Sequence, residues 1–182
     1  MEHALHEATV AVGTECTGVV AESADLVFTA EQCVRGHDSL EVTFADGGSG
    51  LGWVVATDRV SDQALLLLEE PAPVTPLTLA QRRPFAGMVL YFAGHPEDAR
   101  FREVKLQRVA REPSLPALQH ALFATLDGTP HDAGAPIVNG AARVVALVHH
   151  GSRGQVGTPA HTLRRLLERA LSGEVPPPAT DG

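Results

Sequence analysis

The chain is poor in the residues that mark several large protein classes. Two cysteines in 182 residues cannot build a disulfide scaffold or a four-cysteine zinc site, although they suffice for one bridge. Aromatic residues make up only 4%, with Trp53 the single tryptophan, and Ile137 is the only isoleucine. Positive charge is scarce as well: 14 Lys+Arg stand against 22 Asp+Glu, a formal net charge of −8, and Lys105 is the one lysine. A phosphate backbone is bound through clustered Lys and Arg. The nearest such feature, Arg82-Arg83 beside Pro84, reads as a solvated loop pair, so neither a nucleic-acid nor an anionic-membrane partner is expected. No apolar run reaches the ~18 residues a membrane helix needs. The opening MEHALHEATVAV has neither the basic start nor the apolar core of a signal segment. The expectation is a soluble, cytoplasmic chain, or a secreted one if a leader has been removed. The preference for Arg over Lys, with abundant Ala, Val and Leu, reads as the coding bias of a GC-rich bacterial genome and carries no function.

What is present is a series of short apolar runs separated by turn residues. They start at Thr9, Thr17, Leu26, Leu40, Gly52 and Ala64 in the first half, and at Met88, Glu103, Ala121, Ala135, Ala142 and Gln155 in the second. A dozen Val-rich strands spaced in this way, broken by Gly, Pro and Asp, predict an all-β chain, because a parallel α/β sheet would need helices between them. The proline-rich stretch Pro71 to Arg83 suits a crossing between two lobes. From Thr158 the pattern turns helical: Thr158 as cap, Pro159 at the first position, then Leu163, Leu166, Leu167, Ala170 and Leu171 on one stripe. Gly173 ends that helix, and a disordered tail is expected over 173–182. His3 and His6 share a helical spacing in a terminus expected to fray.

Three stretches then stand in a telling order. Phe28-Thr29-Ala30-Glu31-Gln32-Cys33-Val34 resembles the T-A-A-H-C-V motif of the chymotrypsin/trypsin-like serine peptidases. Ser61-Asp62-Gln63-Ala64-Leu65-Leu66-Leu67 resembles the strand that supplies their aspartate, and His131-Asp132-Ala133-Gly134-Ala135-Pro136-Ile137-Val138 resembles G-D-S-G-G-P-L-V. The order of positions, His then Asp then Ser, is that of this family and not of subtilisins or α/β-hydrolases. Cys16-Thr17-Gly18-Val19-Val20, Val144 to Gly151 and the Leu-rich ending extend the resemblance from about Thr9 to Leu171. It implies two six-stranded antiparallel β-barrels with a C-terminal α-helix at about 159–172 and a site cleft between the barrels. The N-terminal lobe is expected over 1–76 and the C-terminal lobe over 77–172. In the family the cysteine at position 16 bridges to that at position 33. The 17 residues so closed are worth ~3 kcal/mol in the chain-entropy model, although a reduced pair of buried thiols is an equal reading.

Peptide hydrolysis by this family needs a hydroxyl nucleophile, an imidazole base and a carboxylate that orients the imidazole. The carboxylate position holds Asp62, but the base position holds Gln32 and the nucleophile position Ala133. A carboxamide has no basic lone pair near neutral pH, and a methyl group cannot attack. Loss of nucleophile or base costs on the order of 10⁶ in turnover. The oxyanion-hole region is altered too, since His131 replaces the glycine two residues before the nucleophile, where a positive φ would strain a histidine or flip its amide. The resemblance therefore implies a pseudopeptidase: a non-cleaving protein- or peptide-binding or regulatory module, within a larger multidomain or effector assembly. The alternative is a serine endopeptidase whose nucleophile was substituted to give Ala133, or whose site is assembled differently.

Other residues border the remnant site. Asp127, six before Ala133, matches the acid at the base of the specificity pocket, which His149 and His150 are expected to border, while Leu-Asp-Gly-Thr-Pro is also strong turn chemistry. Asp132 matches the family residue that pairs with a freed N-terminus; with no activation sequence, a capping role in its own loop is the expectation. His149 and His150 are adjacent on a strand and so face opposite ways, which disfavours joint chelation. By family geometry His149 lies near Asp62 and His131 near Ala133, an arrangement that permits zinc or an improvised acid/base pair; the expectation is ordinary histidines, with no metal and no cofactor. Asp62 must find Gln32, His149 or water, because an unpaired buried carboxylate is costly.

Overall fold

A computed structural model describes residues 1–98 and 100–173. All twelve expected strands form, most of them buried along nearly their whole length, while those over Ser49–Asp58 and Phe101–Ala110 alternate buried and open residues. In the first barrel these are β1 (Thr9–Val12), β2 (Cys16–Val20), β3 (Leu26–Thr29), β4 (Ser39–Thr43), β5 (Ser49–Asp58) and β6 (Gln63–Leu68). They close in the order β1-β2-β3-β6-β5-β4. Val10, Val12, Val20, Val27, Val42, Phe44, Leu66 and Leu68 fill the interior. A register shift between Val54 and Ala56 bends the long β5 around the barrel.

A two-residue strand, β7 (Thr78–Leu79), follows the proline-rich crossing. The second barrel comprises β8 (Val89–Ala93), β9 (Phe101–Ala110), β10 (Ala121–Ala124), β11 (Pro136–Val138), β12 (Arg143–Gly151) and β13 (Gly154–Pro159). Its ring, β8-β9-β10-β13-β12-β11, closes through the β11–β12 pairing and repeats the strand order of the first barrel. The expected fold of two six-stranded antiparallel barrels is met, with β7 added in parallel to β12. Leu90, Phe92, Leu106, Leu122, Ile137 and Val148 pack its core.

Between the barrels runs the crossing. The Leu77 amide donates to the Val20 carbonyl on the first barrel, and the Ala80 amide to the Val144 carbonyl on the second, so the strap is hydrogen-bonded to both. The closing helix, α3 (Ala160–Leu171), buries Leu163 and Leu166 completely. Three details depart from the sequence reading. Thr158 belongs to β13 and donates to the Leu147 carbonyl, so Pro159 takes the N-cap position instead. Leu171, placed on the apolar stripe, is 78% exposed because the helix is leaving the barrels at that point. The N-terminus does not fray: α1 (Glu2–Ala8) buries Leu5 and Ala8 in the same core as Leu163, Leu166, Val144 and Leu147. Beyond Gly173, the expected tail lies outside the described residues.

Candidate functional site at the barrel junction

A short helix, α2 (Glu31–Val34), opens where β3 ends and carries Gln32 towards the turn between β5 and β6. That turn is held by Asp58, whose carboxylate accepts from the Val60 amide at 2.9 Å and the Ser61 hydroxyl at 2.7 Å. Asp62 follows in the left-handed region at φ 52°. Aspartate tolerates that conformation better than most residues, and it aims the carboxylate inward. There Oδ1 accepts the Gln32 amide at 2.9 Å, and Oδ2 accepts the Gln32 carboxamide at 2.9 Å. His149 Nδ1 lies 2.6 Å from the same Oδ2. The buried carboxylate is thus supplied with three donors, and both protein partners foreseen for it are in place.

Next to Gln32, buried Glu31 accepts from Arg35 at 2.5 Å and from Arg59 at 3.3 Å. The Glu31 carboxylate raises the pKa of the Arg35 guanidinium. Cys16 and Cys33 are joined, with Cα atoms 6.0 Å apart, which ties β2 to α2.

Ala133 follows a 3₁₀ turn over Pro130–Asp132 and is buried at 2% exposure. Its carbonyl accepts the Thr17 amide at 2.9 Å, and the Thr17 hydroxyl donates to the His131 carbonyl at 2.7 Å, so the turn of the second barrel rests on β2 of the first. Gly134 follows at φ 87°, where an added Cβ would stand 2.1 Å from the Thr17 carbonyl oxygen, so only glycine fits. His131 sits within the 3₁₀ turn and avoids the left-handed strain considered for it. That winding has a chemical effect: the Ala133 amide, one of the two oxyanion donors in the family arrangement, is turned onto the Pro130 carbonyl at 3.3 Å.

Asp132 accepts the Thr129 amide at 2.6 Å on one oxygen and the His95 amide at 2.7 Å on the other. It therefore fastens the loop after β8 to the start of the 3₁₀ turn. The exposed His131 ring stands edge-on to His95, 6.0 Å between centroids, while His149 lies apart on β12 against Asp62. His150 takes the opposite face of β12 and is half-buried. Asp127 is exposed on the loop after β10, where its backbone carbonyl accepts from Arg102 at 2.5 Å, rather than enclosed at the base of a pocket. Past Val148, among the described residues, β12 is paired with β13 on one side only, because pairing with β11 stops at Leu147.

One participant escaped the sequence reading. Ser114, on the loop between β9 and β10, places Oγ 3.1 Å from His149 Nε2. The loop is a pair of tight turns, with the Leu115 amide on the Glu112 carbonyl and the Leu118 amide on the Leu115 carbonyl. The only local signal was the proline-rich turn chemistry of Glu-Pro-Ser-Leu-Pro, which does not say where the loop folds.

The geometry agrees with what similarity finds. A family model described as "Trypsin-like peptidase domain" matches residues 16–147. Among solved structures, the MamO protease domain of Magnetospirillum magneticum (apo form) superposes with a TM-score of 0.78 at 20% identity, covering 91% of this chain and 98% of that one. The inactive form of the Rv3671c protease gives 0.77 at 20% identity, covering 92% and 91%. Deg5 gives 0.73 at 18% identity, covering 92% and 90%. No curated protein sequence matches. At these identities the solved structures speak for the fold, and the family match carries the assignment: the chain belongs to the trypsin-like peptidase domain family.

Proposed function

We propose that this domain uses its trypsin-like cleft to hold an extended peptide or protein segment without cutting it, as a recognition or regulatory module. The observation that carries the reading is the pairing of Gln32 with Asp62 through both amide and carboxamide, opposite a methyl group at Ala133. No group at the base position can take a proton, and none at position 133 can attack. The turned Ala133 amide removes a transition-state donor as well. The cleft keeps what binding needs. The open edge over His149 to Gly151 offers backbone groups on which an extended segment can add as a strand, with side chains alternating into and away from the cleft.

The test is capture from a random peptide library followed by mass spectrometry of the bound material. Peptides recovered at full length support the module, and catalytic turnover of any peptide bond by the unmodified chain overturns it. Ala133→Ser alone is expected to leave peptide hydrolysis undetectable, because the added hydroxyl would have no base.

A further inference from the structure

We propose that Ser114 is a displaced nucleophile, a hydroxyl activated by His149 and Asp62 that accepts an acyl group from an activated ester or thioester. This goes beyond the peptide-holding role and does not rest on it. Ser114 Oγ is 3.1 Å from His149 Nε2, and His149 Nδ1 is 2.6 Å from Asp62 Oδ2. Nucleophile, imidazole and orienting carboxylate thus form one hydrogen-bonded line, although two of its three members come from sequence positions unrelated to the motif ones.

The protons are assigned by what each group can do. An ionised carboxylate only accepts, so the neutral imidazole donates from Nδ1 to Asp62, and its Nε2 is left with a lone pair facing Ser114. The Ser114 hydroxyl donates to Glu112 Oε1 at 2.9 Å, an oxygen that also accepts the Ser114 backbone amide at 3.1 Å, and a turn about the Cβ–Oγ bond brings the same proton onto His149 Nε2 at 3.1 Å. His149 and Asp62 are buried, whereas Ser114 is exposed, so the base is shielded and the nucleophile reachable. Leu115 and Leu118 pin the loop into a cluster with Ala121 and Val156, which fixes Ser114 against the end of β12. Gly151 completes the fit, since a Cβ there would stand 2.7 Å from Ser114 Oγ and 3.1 Å from His149 Nε2.

In the reaction Oγ bonds to the acyl carbon while its proton passes to His149 Nε2. The bond from that carbon to the leaving oxygen or sulfur breaks, and the departing alkoxide or thiolate takes the proton from Nε2. The products are an acyl ester on Ser114 and a free alcohol or thiol. Activated esters and thioesters are the donors because their leaving groups depart readily, whereas a peptide amine must be protonated as it leaves.

The experiment treats the full chain with p-nitrophenyl acetate and follows p-nitrophenolate release, then locates the acetyl group by peptide mapping. The expected result is one equivalent released in a burst, with acetyl on Ser114. Ser114→Ala is expected to abolish the burst. His149→Gln and Gly151→Ala should each slow it on the order of 10²-fold, the scale of general-base assistance. Gly151→Ala keeps every side chain of the line and breaks only its contact, and thermal melts check that each variant is folded. Acetyl absent from Ser114, or appearing there at an unchanged rate in both His149→Gln and Gly151→Ala, overturns the proposal. Peptide capture by the unmodified chain is scored separately from acetylation, so failure of the nucleophile and failure of the peptide-holding role are read apart.

Discussion

Gln32 shows how one residue changes the purpose of a site. Its carboxamide occupies the Asp62 oxygen that His149 also reaches, so a histidine restored at position 32 would enter a carboxylate already engaged. The double change Gln32→His with Ala133→Ser is therefore expected to stay at least ~10³-fold below a working peptidase in kcat/KM, since the oxyanion donor is still misdirected. A fluorogenic peptide assay measures this, and near-normal turnover would show the 3₁₀ turn to be readily reversed. A second residue, His161, sets a pH response. It stands in the first turn of α3, and burial, with Arg83, Arg165, His120 and Arg164 adding positive charge, lowers its pKa from 6.5 to about 4. With the folded value below the unfolded one, the unfolded chain binds more protons between them. Stability contributed by neutral His161 is thus present above pH 6.5 and lost as the pH falls towards about 4. His161→Gln should flatten the decline in Tm over that interval, and an unchanged slope would assign the decline to other groups.

Elements carry the constraints that single residues cannot. The Cys16–Cys33 bond fixes α2, and with it Gln32, to the β2 strand on which the 3₁₀ turn rests. Reduction is expected to cost about 3 kcal/mol, a fall in Tm of roughly 10 °C for a chain this size. Calorimetry with and without a thiol reductant measures it, and an unchanged Tm would show the bridge to be energetically idle. The same bond bears on the compartment, because a reducing cytosol would hold these cysteines as thiols; differential alkylation in fresh extracts reports which form the cell keeps. At this scale the sequence was most readable. Short apolar runs between turn residues marked all twelve barrel strands, and the three motifs pointed to Gln32, Asp62 and Ala133. Short elements escaped: β7 has two residues and no period to detect, and α1 showed only Ala4, Leu5 and Ala8 among polar neighbours. Ser114 escaped for a different reason. Its partner lies 35 residues away, and the loop is placed by tertiary burial of Leu115 and Leu118 rather than by any local pattern.

The whole molecule is joined by a third core that belongs to neither barrel. Leu5 and Ala8 from α1, Val19 and Phe28 from the first barrel, Leu77 and Leu79 from the crossing, Val138, Val144 and Leu147 from the second barrel, and Leu163 and Leu166 from α3 form one cluster. Polar bonds cross the same boundary: the Gln63 carboxamide donates to the Thr158 hydroxyl at 3.0 Å and to the Pro159 carbonyl at 3.1 Å. Because the site draws Asp62 from one barrel and His149 from the other, its geometry depends on this junction more than on either barrel alone. Leu166→Ala removes a fully buried side chain from the junction and touches neither barrel interior. The expected cost is about 2–5 kcal/mol, as for other large-to-small core changes. If the barrels depend on each other, amide exchange should accelerate together in β2 and β12, and urea unfolding should remain one transition at a lower midpoint. Faster exchange in one barrel alone, or a split transition, would show instead that the barrels are separately stable and the junction only aligns them. In that case the site would loosen before the fold did, and intact-peptide capture would fall at urea concentrations where both barrels still hold their strands.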